Sequence, residues 1–168
     1  MQKLFVAMVG GYPERAHTEV HDIRFVIGRT IEDTFEALKA QWWGGGRVHL
    51  DAWGALEWAD GHDVVVSDER PEGAVDAQLW FCHLGGYRDG FFGELHSEAF
   101  VVAADKGAAK RKALSLAPEW DSPHRDTVHT VETIIDVADA AGGPKVWLVP
   151  SADEKPFAFE AKYYPIRD

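Results

Sequence analysis

Two stretches of the chain have the same order of apolar and polar residues. Residues 4–12 and 79–87 each begin with an uninterrupted apolar run and end in Gly-Gly-Tyr. Each stretch is followed, at the same distance, by a Glu-x-His motif and a second apolar run, at residues 19–27 and 94–102. A short apolar run predicts a strand that is covered on both faces, in the middle of a sheet. Each stretch therefore predicts a central strand followed by a second strand.

The two stretches are related by one constant shift of 75 residues (85 − 10 = 75 and 96 − 21 = 75). Between residues 4 and 26 this shift matches eight of 23 positions to identical residues, where chance at average residue usage gives roughly one or two. A fixed period is the usual signature of repeated supersecondary units. With only two copies, the pattern favours a pseudo-two-fold domain over a solenoid.

The first copy predicts the order strand, strand, helix, strand, strand. Thr30 is a helix N-cap residue type, and apolar residues follow it at helical spacing, at Ile31, Phe35, Leu38 and Trp42. Residues 48–58 alternate, with His49, Asp51 and Trp53 on one side of the predicted strand. Asp60-Gly61 predicts a hairpin turn into Val64–Val66. Strand 18–28 mixes two alternation phases, which predicts a bend or bulge near Asp22.

The second copy predicts the same order of elements. Strands are expected at 78–84 and 94–103, a helix capped by Asp105, a strand from His124 to Val137 and a last strand at 145–149. These patterns predict an α+β fold, a tandem duplication of a β-β-α-β-β unit with a mostly antiparallel sheet and two helices. The units are expected at 1–67 and 76–150, packed as one domain, and the tail at 151–168 adds an edge strand or covers the sheet.

Charge and composition narrow the function. A net charge of −11 argues against nucleic acid or an anionic membrane surface as a partner. No apolar stretch approaches the roughly 20 residues of a membrane-spanning helix, and the N-terminus carries no signal-peptide pattern, which predicts a cytoplasmic protein. The single Cys82 lies in an apolar run and is interpreted as an inert core thiol.

Two short polar motifs on the predicted strands are the candidates for a binding or catalytic site. Residues two apart on a strand share a face, so Glu-x-His and His-x-Asp can converge if their strands are neighbours. The candidate clusters are Glu19, His21, His49 and Asp51 in the first copy, and Glu94, His96, His124 and Asp126 in the second. Imidazoles and carboxylates are suitable ligands for zinc or another divalent metal, and they also serve as acid–base pairs. A structural hydrogen-bond network that joins two strands explains the same residues without a metal.

The two glycine pairs, Gly10-Gly11 and Gly85-Gly86, are turn or loop signals behind the central strands. They lack the spacing of the known phosphate-binding loops, and no helix follows them directly. Close backbone packing at a strand end is therefore the favoured explanation. The sequence indicates no cofactor apart from a divalent metal at the polar clusters. A small-molecule ligand and a homodimer through sheet edges are the partners it allows.

Five short motifs of the first copy together resemble a bacterial family, domain of unknown function 1543. They are Leu4-Phe5-Val6, Gly10-Gly11, Glu19-x-His21-Asp22, Thr30-Ile31-Glu32-Asp33 and His49-Leu50-Asp51. The likeness covers the first copy and, through the repeat, most of the second. It implies a soluble bacterial protein, and it carries over no activity, cofactor or catalytic residue. The preferred function is a small-ligand-binding or structural module. The alternative is a metal-dependent enzyme, a hydrolase or oxygenase that uses the duplicated clusters.

Overall fold

The fold is taken from a computed structural model that describes residues 1–123, 131–142 and 146–166. The chain divides into two compact units. The first comprises Met1–Ala74 with Ala138–Asp168, and the second comprises Val75–Val137. The predicted α+β class with mostly antiparallel sheets is confirmed, because every strand pairing in the described ranges is antiparallel.

A four-stranded sheet forms the main layer of the first unit, in the order β11-β3-β1-β2. Its strands are β1 (Lys3–Gly11), β2 (Val20–Gly28), β3 (Val48–Ala55) and β11 (Phe159–Pro165). The apolar run of β1 lies in the middle, as the sequence predicts for a strand covered on both faces. The tail contributes the edge strand β11, which pairs with β3.

One face of this sheet carries the helix. A 3₁₀ turn (Glu32–Thr34) leads into α1 (Phe35–Gln41). The predicted stripe supplies Ile31, Leu38 and Trp42 to the buried cluster of the unit, where they pack with apolar residues of β1 and β3. The apolar spacing thus determines which face of the helix is buried.

The rest of the first unit is a small second sheet, β10-β5-β4. It consists of β4 (Trp58–Ala59), β5 (His62–Val66) and β10 (Val146–Pro150). Asp60 and Gly61 both have positive φ, 51° and 80°, which forms the tight turn predicted between β4 and β5. Strand β10, predicted in the second unit, pairs with β5 and clusters with the first unit. The structure therefore divides the chain differently from the expected boundaries at 67 and 76.

The second unit is built on β6 (Gln78–Tyr87), which pairs with β7 (Leu95–Ala103) on one side. On the other side it pairs with the short β8 (Ser122–Pro123) and with β9 (Val131–Asp136). Helix α2 (Lys106–Leu114) begins at the predicted cap, where the Ala108 amide donates a 2.8 Å hydrogen bond to Asp105. A short α3 (Val137–Ala141) starts at the last residue of the unit.

The bulge of the first sheet lies on β3 and not on β2. Strand β2 pairs with β1 without a register shift, so the bend predicted near Asp22 is wrong. In the other pairing, Met8 lies opposite Ala52 and Val9 opposite Leu50, which leaves Asp51 as the extra residue. One extra residue reverses the alternation beyond it. Trp53 therefore joins Leu50 in the core, instead of lying with His49 as the sequence pattern predicts.

Candidate functional site

The first sheet places a glycine between two histidines. Gly10 on β1 lies opposite His21 on β2 and opposite His49 on β3. Neighbouring strands are about 4.8 Å apart, so the two histidine backbones lie about 10 Å from each other across the glycine. Because Gly10 has no side chain, both imidazoles can lean into the space above it.

Two carboxylates reach the same space, one from the residue directly before β2 and one from β3. Glu19 precedes His21 by two residues, and Asp51 follows His49 by two residues at the bulge. Bulges commonly occur beside functional sites, where they change the direction of a side chain. The predicted convergence of Glu19, His21, His49 and Asp51 is therefore present in the fold, on the β1 face that carries Gly10.

The polar atoms of this group, hereafter the first cluster, lie close together. His49 Nε2 is 2.8 Å from Glu19 Oε1 and 3.4 Å from Asp51 Oδ2. His21 Nε2 is 3.3 Å from Asp51 Oδ2 and 3.8 Å from Glu19 Oε2. Both imidazoles thus present the same nitrogen to both carboxylates. A Cβ added to Gly10 would lie 2.5 Å from Asp51 Oδ2 and 2.7 Å from His49 Nε2, so the cluster depends on glycine there.

Burial differs among the four side chains. The His49 side chain is 9% exposed, Glu19 and Asp51 are each 26% exposed, and His21 is 46% exposed. His49 Nε2 and Asp51 Oδ2 are buried atoms that make no hydrogen bond, and their contacts within the cluster are ion-pair contacts. In the described ranges, no three His, Cys, Asp or Glu side chains are arranged to hold a metal ion as they stand.

A cavity of about 590 Å³ adjoins the first cluster, and His49 belongs to both. Its wall also includes Trp42, Lys39, Arg47 and Tyr163. The ring of Tyr163, from the tail strand β11, packs on the imidazole of His49 with 4.5 Å between the ring centres. Sequence reasoning missed the two cations and the tyrosine. For the tyrosine, the unduplicated tail gave no signal that β11 would lie beside His49.

The second unit has a histidine–carboxylate group in a related place, hereafter the second cluster. Gly85 on β6 lies opposite His96 on β7, as Gly10 lies opposite His21. His96 Nε2 is 3.6 Å from Glu94 Oε2, and its ring stacks on that of His83 at 4.5 Å. His83 Nδ1 is in turn 3.5 Å from Glu98 Oε1, and a hydrogen bond from His83 lowers the pKa of Glu98 below its usual value. His83 and Glu98 were not singled out in the sequence, because their partners under the 75-residue shift are the apolar Met8 and Ile23.

The remaining predicted residues of the second copy, His124 and Asp126, lie outside the described residues. In the described part of β9, His83 lies opposite Thr133 and Leu84 opposite Val131, which leaves Glu132 as the extra residue. Glu132 thus has the position on the strand that Asp51 has in the first unit. The shift from β3 to β9 is 81 residues (131 − 50 = 81), six more than the shift of 75 that relates the β1–β2 hairpin to the β6–β7 hairpin. An ungapped shift could not have identified Glu132.

The glycine pairs lie within strands rather than in loops. Strand β1 ends at Gly11 and β6 continues through Gly86 to Tyr87. A Cβ on Gly11 would lie 2.8 Å from the Trp42 ring, and one on Gly86 would overlap the Trp120 ring. Gly10 and Gly85 are the paired partners of His21 and His96. At Gly10, Gly11 and Gly86, close packing against a side chain accounts for the glycine.

Cys82 is fully buried in β6, and burial raises the pKa of its thiol to about 11. A thiol with that pKa is almost entirely protonated at neutral pH, whereas the thiolate is the nucleophile. The interpretation of Cys82 as an inert core residue fits this geometry.

The fold and the site define an α+β protein with antiparallel sheets and a histidine–carboxylate site beside a cavity. Residues 16–66 match the family model described as Domain of Unknown Function (DUF1543), so the resemblance to that family is confirmed over those residues. The matched segment contains all four residues of the first cluster.

The whole chain is similar in structure to a protein Il1583 from Idiomarina loihiensis, known from a crystal structure. The TM-score is 0.72 at 26% sequence identity, and the match covers 100% of this chain and 99% of that chain. A comparison with curated proteins finds no match. Within the described ranges, no helix has both the length and the apolar character needed to cross a membrane.

Proposed function

We propose that the protein binds a small anionic molecule in the cavity of the first unit, with His49 at its inner wall. The observation that carries the proposal is the cavity wall, which contains His49 and the two cations Lys39 and Arg47. A volume of about 590 Å³ is within the range of small-molecule sites. Trp42 and Tyr163 supply aromatic surface for the apolar part of a ligand.

The charge of the cavity wall supports an anion. The chain as a whole carries −11, yet the described wall residues include Lys39 and Arg47 and no carboxylate. Lys39 is partly neutralised by Glu36, whose Oε1 lies 2.7 Å from its Nζ. Arg47 is therefore the principal anion-binding residue of the proposal, because its planar guanidinium donates two parallel hydrogen bonds to a carboxylate or phosphate.

The test is a thermal-shift titration with inorganic phosphate, citrate and a nucleoside monophosphate. A ligand that binds only the folded state raises the melting temperature with its concentration. We expect at least one of the three to do so, and we expect Arg47→Ala to weaken its apparent affinity at least about tenfold, as loss of a charge-assisted contact does. The matched control is Arg15→Ala, an exposed arginine of the same unit. Equal responses of both variants, or no response to any of the three anions, would refute the proposal.

We also infer that the two units descend from one duplicated half-length fold. Three features support this inference. The β1–β2 and β6–β7 hairpins have equivalent registers, β3 and β9 bulge opposite equivalent steps of the central strand (Met8–Val9 and His83–Leu84), and a tryptophan covers the last glycine of each pair.

A further inference from the structure

We propose that the first cluster is a binding site for one divalent transition-metal ion, with zinc as the closest fit. Its ligands are Glu19, His21, His49 and Asp51. The inference is independent of the anion proposal, because it concerns the four side chains above Gly10 and not the cations of the cavity wall.

The spacing of the four donor atoms is the first argument. Zinc lies about 2.0–2.2 Å from nitrogen and oxygen ligands, so a tetrahedral arrangement places neighbouring ligand atoms about 3.3–3.5 Å apart. The separations between imidazole nitrogens and carboxylate oxygens are 2.8, 3.3, 3.4 and 3.8 Å. These four His–carboxylate separations scatter around the tetrahedral value.

Unsatisfied buried atoms are the second argument. His49 is more than nine-tenths buried, and its Nε2 points into the cluster without a hydrogen bond, as does Asp51 Oδ2. In the tautomer that leaves Nε2 unprotonated, this nitrogen and the carboxylate oxygens are all acceptors, and leaving such groups unmatched in a protein interior is costly. A divalent cation accepts electron pairs from all four atoms at once and balances the charge of the two carboxylates.

The third argument is the kind of ligand. Two imidazoles with two carboxylates suit zinc and similar first-row ions better than magnesium or calcium, which prefer oxygen alone. In the present side-chain conformations, the imidazoles and carboxylates contact each other and do not surround a position for a metal ion. Metal binding would therefore exchange His–carboxylate contacts for coordination. The partly exposed His21 and Glu19 leave a side from which an ion can enter.

The test is equilibrium dialysis of the untagged full chain against Zn²⁺, with metal analysis and a melting curve of the dialysed protein. We expect one Zn²⁺ per chain and a rise in melting temperature that chelation reverses. His49→Ala should weaken zinc binding by at least about tenfold, since even changes outside the ligand shell cost that much. The matched control is His83→Ala, which removes a histidine of the second cluster.

A second variant guards against loss of folding. Gly10→Ala keeps all four ligands but places a methyl group 2.5 Å from Asp51 Oδ2, so it should also abolish zinc binding. Asp51→Asn preserves shape and removes one charge, and we expect an intermediate loss. Circular dichroism identifies which variants are folded, and the comparison rests on those. Sub-stoichiometric zinc in the wild type, or equal losses in His49→Ala and His83→Ala, would overturn the proposal.

Discussion

The two units share one hairpin geometry but use it for different polar groups. In the first unit, the neighbours Met8 and Ile23 form an apolar pair beside the cluster, and β3 contributes His49 and Asp51. In the second, His83 and Glu98 occupy the equivalent places and form an ion pair, and His83 stacks on His96. The first arrangement gathers groups from both sides of the central strand above a glycine, whereas the described part of the second joins groups of the β6–β7 hairpin. The comparison teaches that one hairpin register can carry an apolar pair in one unit and an ion pair at the equivalent places in the other.

The largest expected effect tests whether the two cores are equivalent. Leu4 and Leu79 correspond under the 75-residue shift and are 1% and 3% exposed. Each Leu→Ala substitution should cost about 2–5 kcal/mol in the free energy of unfolding, since it leaves a cavity in a packed core. Urea unfolding followed by tryptophan fluorescence measures both. Unequal losses, with one below about 1 kcal/mol, would contradict the equivalence.

A smaller effect concerns the glycines that lie against tryptophan. A methyl group at Gly11 would press on Trp42 and on the Arg47 carbonyl, and one at Gly86 would overlap Trp120. We expect Gly11→Ala and Gly86→Ala each to destabilise the protein by about 1–3 kcal/mol, as overpacking does. Gly61→Ala is not a suitable control because of its positive φ, so Ala16→Gly, in an irregular segment, serves instead. Wild-type stability of either glycine variant would disprove the contact.

The pH dependence of stability should distinguish the ion pair of the second unit from the apolar pair of the first. Because His83 lowers the pKa of folded Glu98 below its usual value of 4.5, Glu98 contributes stability that is fully present above that value. The contribution disappears as the pH falls through the lowered pKa. The urea midpoint of Glu98→Gln should therefore lie below that of the wild type at neutral pH and converge with it in acid. Glu14→Gln, on the surface of the first unit, should show no such convergence, and a pH-independent gap for Glu98→Gln would refute this assignment.

The smallest effect concerns Cys82, whose counterpart in the first unit is Ala7. A thiol pKa of about 11, compared with 9.0 for an ordinary thiol, leaves about a hundredfold less thiolate at the same pH. Iodoacetamide should therefore label Cys82 far more slowly in the folded protein than in urea. Equal rates would show that the β6 core is open to solvent.

Local patterns predicted most of the fold. The apolar run of β1, the helical stripe that ends at Trp42, the Asp105 cap and the Asp60-Gly61 turn each follow from residues close together in the chain. The bulge at Asp51 and the pairing of β10 with β5 depend on contacts between distant segments, which no local pattern specifies. For the same reason, alternation placed Trp53 on the wrong face.

For the site, the sequence predicted the four residues of the first cluster, because residues two apart on a strand share a face. The two strands flank β1 and do not pair with each other, and the missing side chain of Gly10 lets their polar groups meet. It could not predict Arg47 and Tyr163 as cavity residues, because the cavity wall combines segments that are far apart in the sequence. The six additional residues before β9 move the strand position that corresponds to Asp51 from Asp126 to Glu132. The cytoplasmic location, the homodimer and the exclusion of nucleic acid stay predictions.

The most direct test of a binding site in the first cluster is a long-range nitrogen–proton NMR spectrum of the imidazoles during a Zn²⁺ titration of the untagged protein. The account predicts that the resonances of His21 and His49 shift together and saturate at one ion per chain, while those of His83 and His96 stay in place. Shifts confined to His83 and His96, or no shift in any of the four, would contradict it.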